Sequence, residues 1–396
     1  MKYKNRAAAL AVVIAITPHL SLAADAAADA PAAAPATALP GVSDLLNAWG
    51  VTVSGEFAAS YYHSNGYPGW DASPVGSQGV HGFDSNHDSF SLDEAGLQIG
   101  YQPKQGIGGF VDVIAGEDAK GLHYWEDGNA DAVDVRQAYL QYATGPFTII
   151  AGKYVTAAGA EVINPALNTN FSRSLLFWNL EPLTHTGARV TWAVSDTINV
   201  FAGVNNGWNY TSNVGSGSKT GEFGATWAPN KTFSLAATSY FGKDDVLYNG
   251  QELSLVDFVG TYNVTSSLTL MLNADFKQTS GNGLSGTDAT THTNGFAGYV
   301  NYSINDNWRV SVRGEYLDYV GTGHLSEGTL TVAYSPAKNF EVRAELRYDK
   351  ASSGLGNDFF LRTLDGSETG GPTYANSNTE FALQGVYHFS LPPAAN

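Results

Sequence analysis

Ser172 and Ser174 precede His185 by about a dozen residues, and a serine with a histidine is the pair that nucleophilic hydrolysis uses, one to attack and one to take the proton. No third group follows at a spacing that would orient the imidazole, and neither H-E-x-x-H nor G-x-S-x-G occurs in the chain. Asp84, Asn86 and Asp88 offer three oxygens at calcium-loop spacing. Ser89, however, stands where that loop needs glycine, and Ala95 where it needs a bidentate glutamate. The run Gly215-Ser216-Gly217-Ser218-Lys219-Thr220 has some features of a phosphate loop but lacks the glycine before the lysine, and no helix follows. A solvated loop accounts for the first of these runs and a flexible hairpin loop for the second.

A different pattern carries more. From 340 to 349, Phe340, Val342, Ala344, Leu346 and Tyr348 alternate with Glu341, Arg343, Glu345, Arg347 and Asp349. Period two puts the two sets on opposite faces of a β-strand. Such a strand separates water from oil. Its charges can pair along a wall and stiffen it, or polarise a water-filled passage and select what crosses. Strand parity adds Arg136, Lys153, Arg189, Arg309 and Arg313, with Asp257, Asp275 and Glu315, to the charges expected on the wet side.

The elements that must hold these residues read as sixteen strands, at 51–62, 91–102, 107–115, 133–143, 147–154, 185–193, 197–205, 219–228, 231–241, 252–263, 267–277, 294–303, 307–317, 327–335, 339–349 and 379–389. Their connections alternate between short turns and long loops, so all the long ones lie at one end. Outer-membrane barrels have this asymmetry, with short periplasmic turns and long external loops. Aromatics bracket the apolar faces eight residues apart: Phe233 and Phe241, Trp308 and Tyr316, Phe340 and Tyr348, Phe381 and Phe389. At ~3.3 Å per residue and a tilt near ~40°, that is roughly 20 Å along the membrane normal, close to the spacing of two aromatic girdles. The expected fold is all-β, a closed antiparallel transmembrane β-barrel of about 16 strands.

Composition agrees. Glycine is abundant at 44 residues and there is no cysteine, which excludes a disulfide framework and thiolate metal sites. Lys2, Lys4 and Arg6, an apolar run from Ala7 to Ile16 and the small residues to Ala23 read as a signal peptide over 1–23. Residues 24–50 read as an Ala/Pro-rich periplasmic tether with a short helix near its end, 51–389 as the barrel and 390–396 as a tail. The formal charge is −17, and loss of the three cations in 1–23 takes it to −20. So acidic a chain is a poor partner for nucleic acid. Glu117, Asp118, Glu126, Asp127 and Asp131 are expected to form an acidic outer rim.

The most distinctive stretch is 151–192, AGKYVTAAGAEVINPALNTNFSRSLLFWNLEPLTHTGARVTW. Gly152-Lys153-Tyr154, Gly159-Ala160-Glu161, Pro165, Asn168, Asn170-Phe171-Ser172-Arg173-Ser174, and Pro182 followed by His185-Thr186-Gly187-Ala188-Arg189 make it resemble the OmpL-like β-barrel porin family of bacterial outer membranes. Arg136-Gln137-Ala138-Tyr139 in the preceding strand fits as well. One departure is that Phe389 is not the last residue, which puts in doubt recognition of a terminal aromatic by the barrel-assembly machinery.

The loop 155–184 is too long for a hairpin and too apolar to float free, because Leu175, Leu176, Phe177 and Trp178 need burial. Folded inward, as in the general porins it resembles, it would narrow the channel and turn Glu161, Asn164, Asn168, Asn170 and Arg173 toward the passage. The expectation is a bacterial outer-membrane porin without cofactor, metal or covalent chemistry, passing small hydrophilic solutes or ions. Its partners would be outer-membrane lipid, lipopolysaccharide and the barrel-assembly machinery, with a homo-oligomer as an option. A non-conducting structural or adhesive barrel is the alternative, and a barrel hydrolase a third.

Overall fold

The computed structural model describes residues 42–65, 82–84, 88–127, 131–211, 217–244, 251–282, 288–355, 360–363 and 373–391. Sixteen strands form one closed antiparallel ring: β1 (Val51–Ser64), β2 (Ser89–Tyr101), β3 (Gly106–Ala115), β4 (Val133–Thr144), β5 (Phe147–Val155), β6 (Thr184–Ser195), β7 (Ile198–Asn205), β8 (Thr220–Trp227), β9 (Phe233–Asp244), β10 (Gln251–Asn263), β11 (Leu268–Asn282), β12 (Asp288–Ser303), β13 (Trp308–Tyr319), β14 (Gly323–Ala337), β15 (Phe340–Ala351) and β18 (Ser377–Leu391). Two short strands, β16 (Phe360–Thr363) and β17 (Thr373–Ala375), make a separate ribbon between β15 and β18. Pairing of β1 with β18, from Val53 opposite Leu391 to Ser64 opposite Glu380, closes the ring and leaves it no free edge. Before β1, the helix α1 (Val42–Trp49) is the short helix that the sequence suggested. The expected signal peptide and most of the tether lie outside the described residues.

Every expected barrel strand is present, though several run further. Residues 278–293 and 318–326, read as long loops, are mostly strand: β11 reaches Asn282, β12 begins at Asp288, and only 320–322 join β13 to β14. The cause is residue type: Thr290, Thr291 and Thr293 favour the extended backbone beyond the apolar zone. Bulges break the alternation of two strands, β2 and β4. Between β1 and β2 the register slips at Ala58/Ala59, leaving Asp93 unpaired, so that Asp93 and Glu94 are both buried although adjacent. Between β3 and β4 it slips at Asp112/Val113, which makes Arg136 the extra residue.

The lipid face is apolar as parity required: Leu97, Ile99, Val111, Leu140, Phe223, Leu272, Val312, Leu330 and Leu346 are exposed on the outside. The aromatic pairs lie on this face as well. A protein core would hide such a belt, whereas hydrocarbon is its solvent in a membrane barrel. Among the described residues no helix is long and apolar enough to cross a membrane.

The segment 116–132, expected as an acidic loop, contains a helix, α2 (Glu117–Asp127). Glu117 and Asp118 open it, where the exposed amides of a first turn favour anions, and Glu117 pairs with Lys120 at 2.7 Å. The acidic rim is therefore only partly a rim: Asp118 is buried and Glu126 is half-buried, while Asp131 is exposed.

Candidate functional site

The segment 156–183, between β5 and β6, folds into the barrel. Along the ring β6 and β14 are eight strands apart, half the circumference, yet the loop is bonded to β13, β14 and β15. It therefore crosses the lumen from one wall to the other. A 3₁₀ turn at Pro165–Leu167 and a short helix, α3 (Leu175–Asn179), are its only regular structure.

A loop buried with so little secondary structure must find other partners for its amides and carbonyls. The wall provides them by charge sign. Glu345 accepts from the Phe171 amide (2.7 Å), the Ser172 amide (2.9 Å) and the Ser172 hydroxyl (2.5 Å). Glu315 accepts from the Leu175 amide at 2.7 Å, at the start of α3, where Ser174 Oγ caps the Phe177 amide. In the opposite sense, Arg343 donates to the carbonyls of Asn168, Asn170 and Pro165 at 2.7–3.1 Å. Arg347 donates to the Arg173 carbonyl and Arg313 to the Ser172 carbonyl, each at 2.7 Å, and Arg309 to that of Thr169 at 2.8 Å. The alternating Glu and Arg residues of β15 thus clamp the loop backbone.

Apolar contacts complete the seat. Leu175, Leu176 and Leu180 pack on Ala297, Tyr299, Leu317, Leu325 and Ala351 of the wall, and Phe177 and Trp178 turn the other way onto Phe83, Ile114, Ala119 and Leu122. Gly295 makes room for the loop: a Cβ there would lie 2.6 Å from Leu180 Cδ1 and 2.7 Å from Leu176 Cγ.

The expected lumen charges do face inward, but most are not in open water. Arg313, Arg343, Arg347, Glu315, Glu345 and Asp275 are buried beneath the loop. Lys153 is buried against α2, paired with Glu126 and with Asp134 at 3.0 Å. Arg136 is buried in a cluster with Glu94 (2.7 Å), Asp112 (2.7 Å) and Glu56 (2.9 Å), so one cation faces three carboxylates. Water reaches Arg189, paired with Glu222 at 2.9 Å and 13% exposed, and the Arg309–Glu341 pair, 20% and 22% exposed.

The constriction residues are corrected in the same way. Glu161, Asn168, Asn170 and Arg173 are buried and Asn164 is half-buried, because they build the loop rather than line a passage. Glu161 bridges Arg313 (2.8 Å) and the Ser174 amide (2.5 Å). Asn168 pairs with both backbone groups of Val162, Asn170 donates to Thr331 at 2.7 Å, and Asn164 caps the 3₁₀ turn. Arg173 gathers the carbonyls of Val162, Ile163 and Phe171 and pairs with Asp118.

The hydrolase arrangement does not form: Ser172 is held by Glu345 and Arg313, Ser174 caps α3, and His185 is bonded to the Gly207 carbonyl and stacked on Tyr240. The calcium-like run includes Ser85, Asn86 and His87, and the phosphate-loop-like run Gly215 and Ser216, all outside the described residues. Glu56, Glu94, Asp112, Glu222 and Glu327 were missed as partners of the arginines. The bulge at Asp93 blurs the parity of Glu94, whereas Asp112 alternates cleanly between Val111 and Val113.

Outside the strands, burial raises the Asp118 carboxyl well above its ordinary range, with Asp93 and Asp84 adding to the rise and Arg173 and Arg136 opposing it. Burial likewise raises Glu181, and the charges of Asp275 and Asp257 push it further up.

A sixteen-stranded ring with an apolar outer belt and one loop folded across its lumen defines an outer-membrane barrel of the porin class. The chain belongs to the family described as "Putative beta-barrel porin-2, OmpL-like", whose model matches residues 50–389. No curated protein matches it in sequence. Among solved structures it is similar in fold to the anion-selective porin from Comamonas acidovorans, at 13% identity and TM-score 0.56 over 86% of this chain and 99% of that one. Outer-membrane expressed OmpT of Vibrio cholerae is similar at 14% identity and TM-score 0.55, over 86% and 97%. The outer membrane channel DcaP of Acinetobacter baumannii gives 14% and 0.53, again over 86% and 97%.

Proposed function

We propose that this protein is a passive channel for small hydrophilic solutes or ions, with the segment 156–183 setting the width of the passage. The observation that carries this reading is the loop's path across half the ring, clamped at its far end by Glu345, Arg343 and Arg313. A ring of sixteen strands is wide enough to hold water, unlike an eight-stranded barrel filled by its own side chains. Solutes would meet Arg189 and the Arg309–Glu341 pair, the charges that keep some exposure, and these are the selectivity residues of this reading.

The same reading makes 1–23 a cleaved signal peptide, and the mature chain a substrate of the barrel-assembly machinery seated in outer-membrane lipid and lipopolysaccharide. Mass spectrometry of the mature N-terminus checks the cleavage after Ala23. Planar-bilayer recording across a salt gradient tests the channel: stepwise conductance with a measurable reversal potential is expected. Silence from correctly folded, heat-modifiable protein would turn the reading to its alternative, a structural or adhesive barrel, which the dense burial of lumen charge favours.

A further inference from the structure

Among the described residues two groups bring three potential ligand atoms together, His123 with Glu126 and Asp134, and Glu181 with Asp257 and Asp275, and only the first has a counter-charge. Glu126 and Asp134 pair with the Lys153 ammonium, and His123 lies 3.1 Å from Asp134. Glu181 of the loop, Asp257 of β10 and Asp275 of β11 have no such partner: among the described residues no lysine or arginine is ion-paired with any of the three. Asp257 and Asp275 are register partners on adjacent strands, and the Asn273 amide donates to one oxygen of each, at 2.8 and 3.3 Å. The second oxygen of each aspartate is buried without a hydrogen-bond partner.

Glu181, 4% exposed, enters this pair from the other side, and neither of its oxygens has a partner either. The opposite leg of the loop closes over it: Gly159, at φ +89°, brings its backbone so near that a Cβ would lie 1.9 Å from Glu181 Oε2. Three carboxyl groups buried this close together with no cation paired to them are costly to ionise.

We propose that Glu181, Asp257 and Asp275 bind one divalent cation of the calcium type, which ties the loop to the wall at β10 and β11. One oxygen from each residue lies within 4.8 Å of the others, the separation that metal–oxygen bonds of ~2.3–2.6 Å allow. The donors are all hard oxygens with no nitrogen or sulfur among them, which favours Ca²⁺ or Mg²⁺ over zinc or copper. Ligands drawn from two strands and a loop suit the flexible calcium sphere better than the strict octahedron of magnesium. The site rests on the inward position of the loop and not on conduction, so a silent barrel would still carry it.

The test is calcium binding to the purified full chain in detergent, stripped with EDTA and dialysed against CaCl₂ at neutral pH, with bound metal counted by elemental analysis. Wild-type protein is expected to retain about one Ca²⁺ more than Glu181→Gln, whose affinity at this site falls at least about tenfold. Asp131→Asn, an exposed acid outside the cluster, should leave the count unchanged. Glu181→Gln keeps size and shape, and heat-modifiability on gels shows that it has folded; Asp275→Asn is the second arm. Folded wild-type protein that binds no calcium, or a count that neither variant lowers, would overturn the proposal and leave the trio sharing protons.

Discussion

Glu345 and Glu341 sit two residues apart on one strand face with different tasks. Glu345 is buried and accepts four hydrogen bonds, three of them from the loop. Glu341 is 22% exposed and pairs with Arg309. Removing a charged acceptor from buried donors costs about 1–3 kcal/mol, whereas a half-solvated pair contributes about 1 kcal/mol or less. Glu345→Gln should therefore lower thermal stability measurably and Glu341→Gln hardly at all; equal shifts in the unfolding midpoint would contradict the clamp. The inward direction of both residues was legible from period two. Their roles were not, because the backbone that Glu345 holds lies about 170 residues away and parity shows direction, not contact. The same holds for Asn168 and Arg173, whose polar types suggested a passage although their bonds go to the loop itself.

Among the elements, α2 and α3 depend on each other, since Trp178 and Phe177 pack on Leu122 and Ala119 while Arg173 reaches Asp118. Because the docked state raises the Asp118 carboxyl, it holds that proton more tightly than the undocked state. The stabilisation from the proton is full below the ordinary carboxylate value near ~4 and is lost as pH rises through the raised one. Hydrogen exchange of α2 amides, corrected for intrinsic rate, should show weaker protection with rising pH, and Asp118→Asn should flatten the trend; a wild-type trend of opposite sign would refute it. Gly295→Ala forces Leu176 or Leu180 to move and should cost roughly 1–3 kcal/mol, read as a lower unfolding midpoint. The helix α2 escaped the sequence because Gly121 interrupts it and its apolar period is weak, whereas the strands were plain from alternation, except where the bulges at Asp93 and Arg136 broke it.

For the molecule as a whole, the ring and the loop divide the work. The sixteen strands satisfy their backbone by pairing and present an apolar outside, so the barrel stands in lipid without help from the loop. The loop fills lumen that would otherwise hold water, and the charges of β13 and β15 hold it there. The loop's apolar cluster at 175–178 showed that it had to be buried, and the alternation of connections showed at which end of the barrel it starts. That it spans the full width follows only from the ring closure. The most direct test is single-channel conductance of wild-type protein against a variant in which 160–175 is replaced by a short Gly-Ser linker. A loop that sets the passage predicts a rise of about twofold or more in the folded variant, since conduction follows the narrowest section. Equal conductance in the two correctly folded proteins would contradict it.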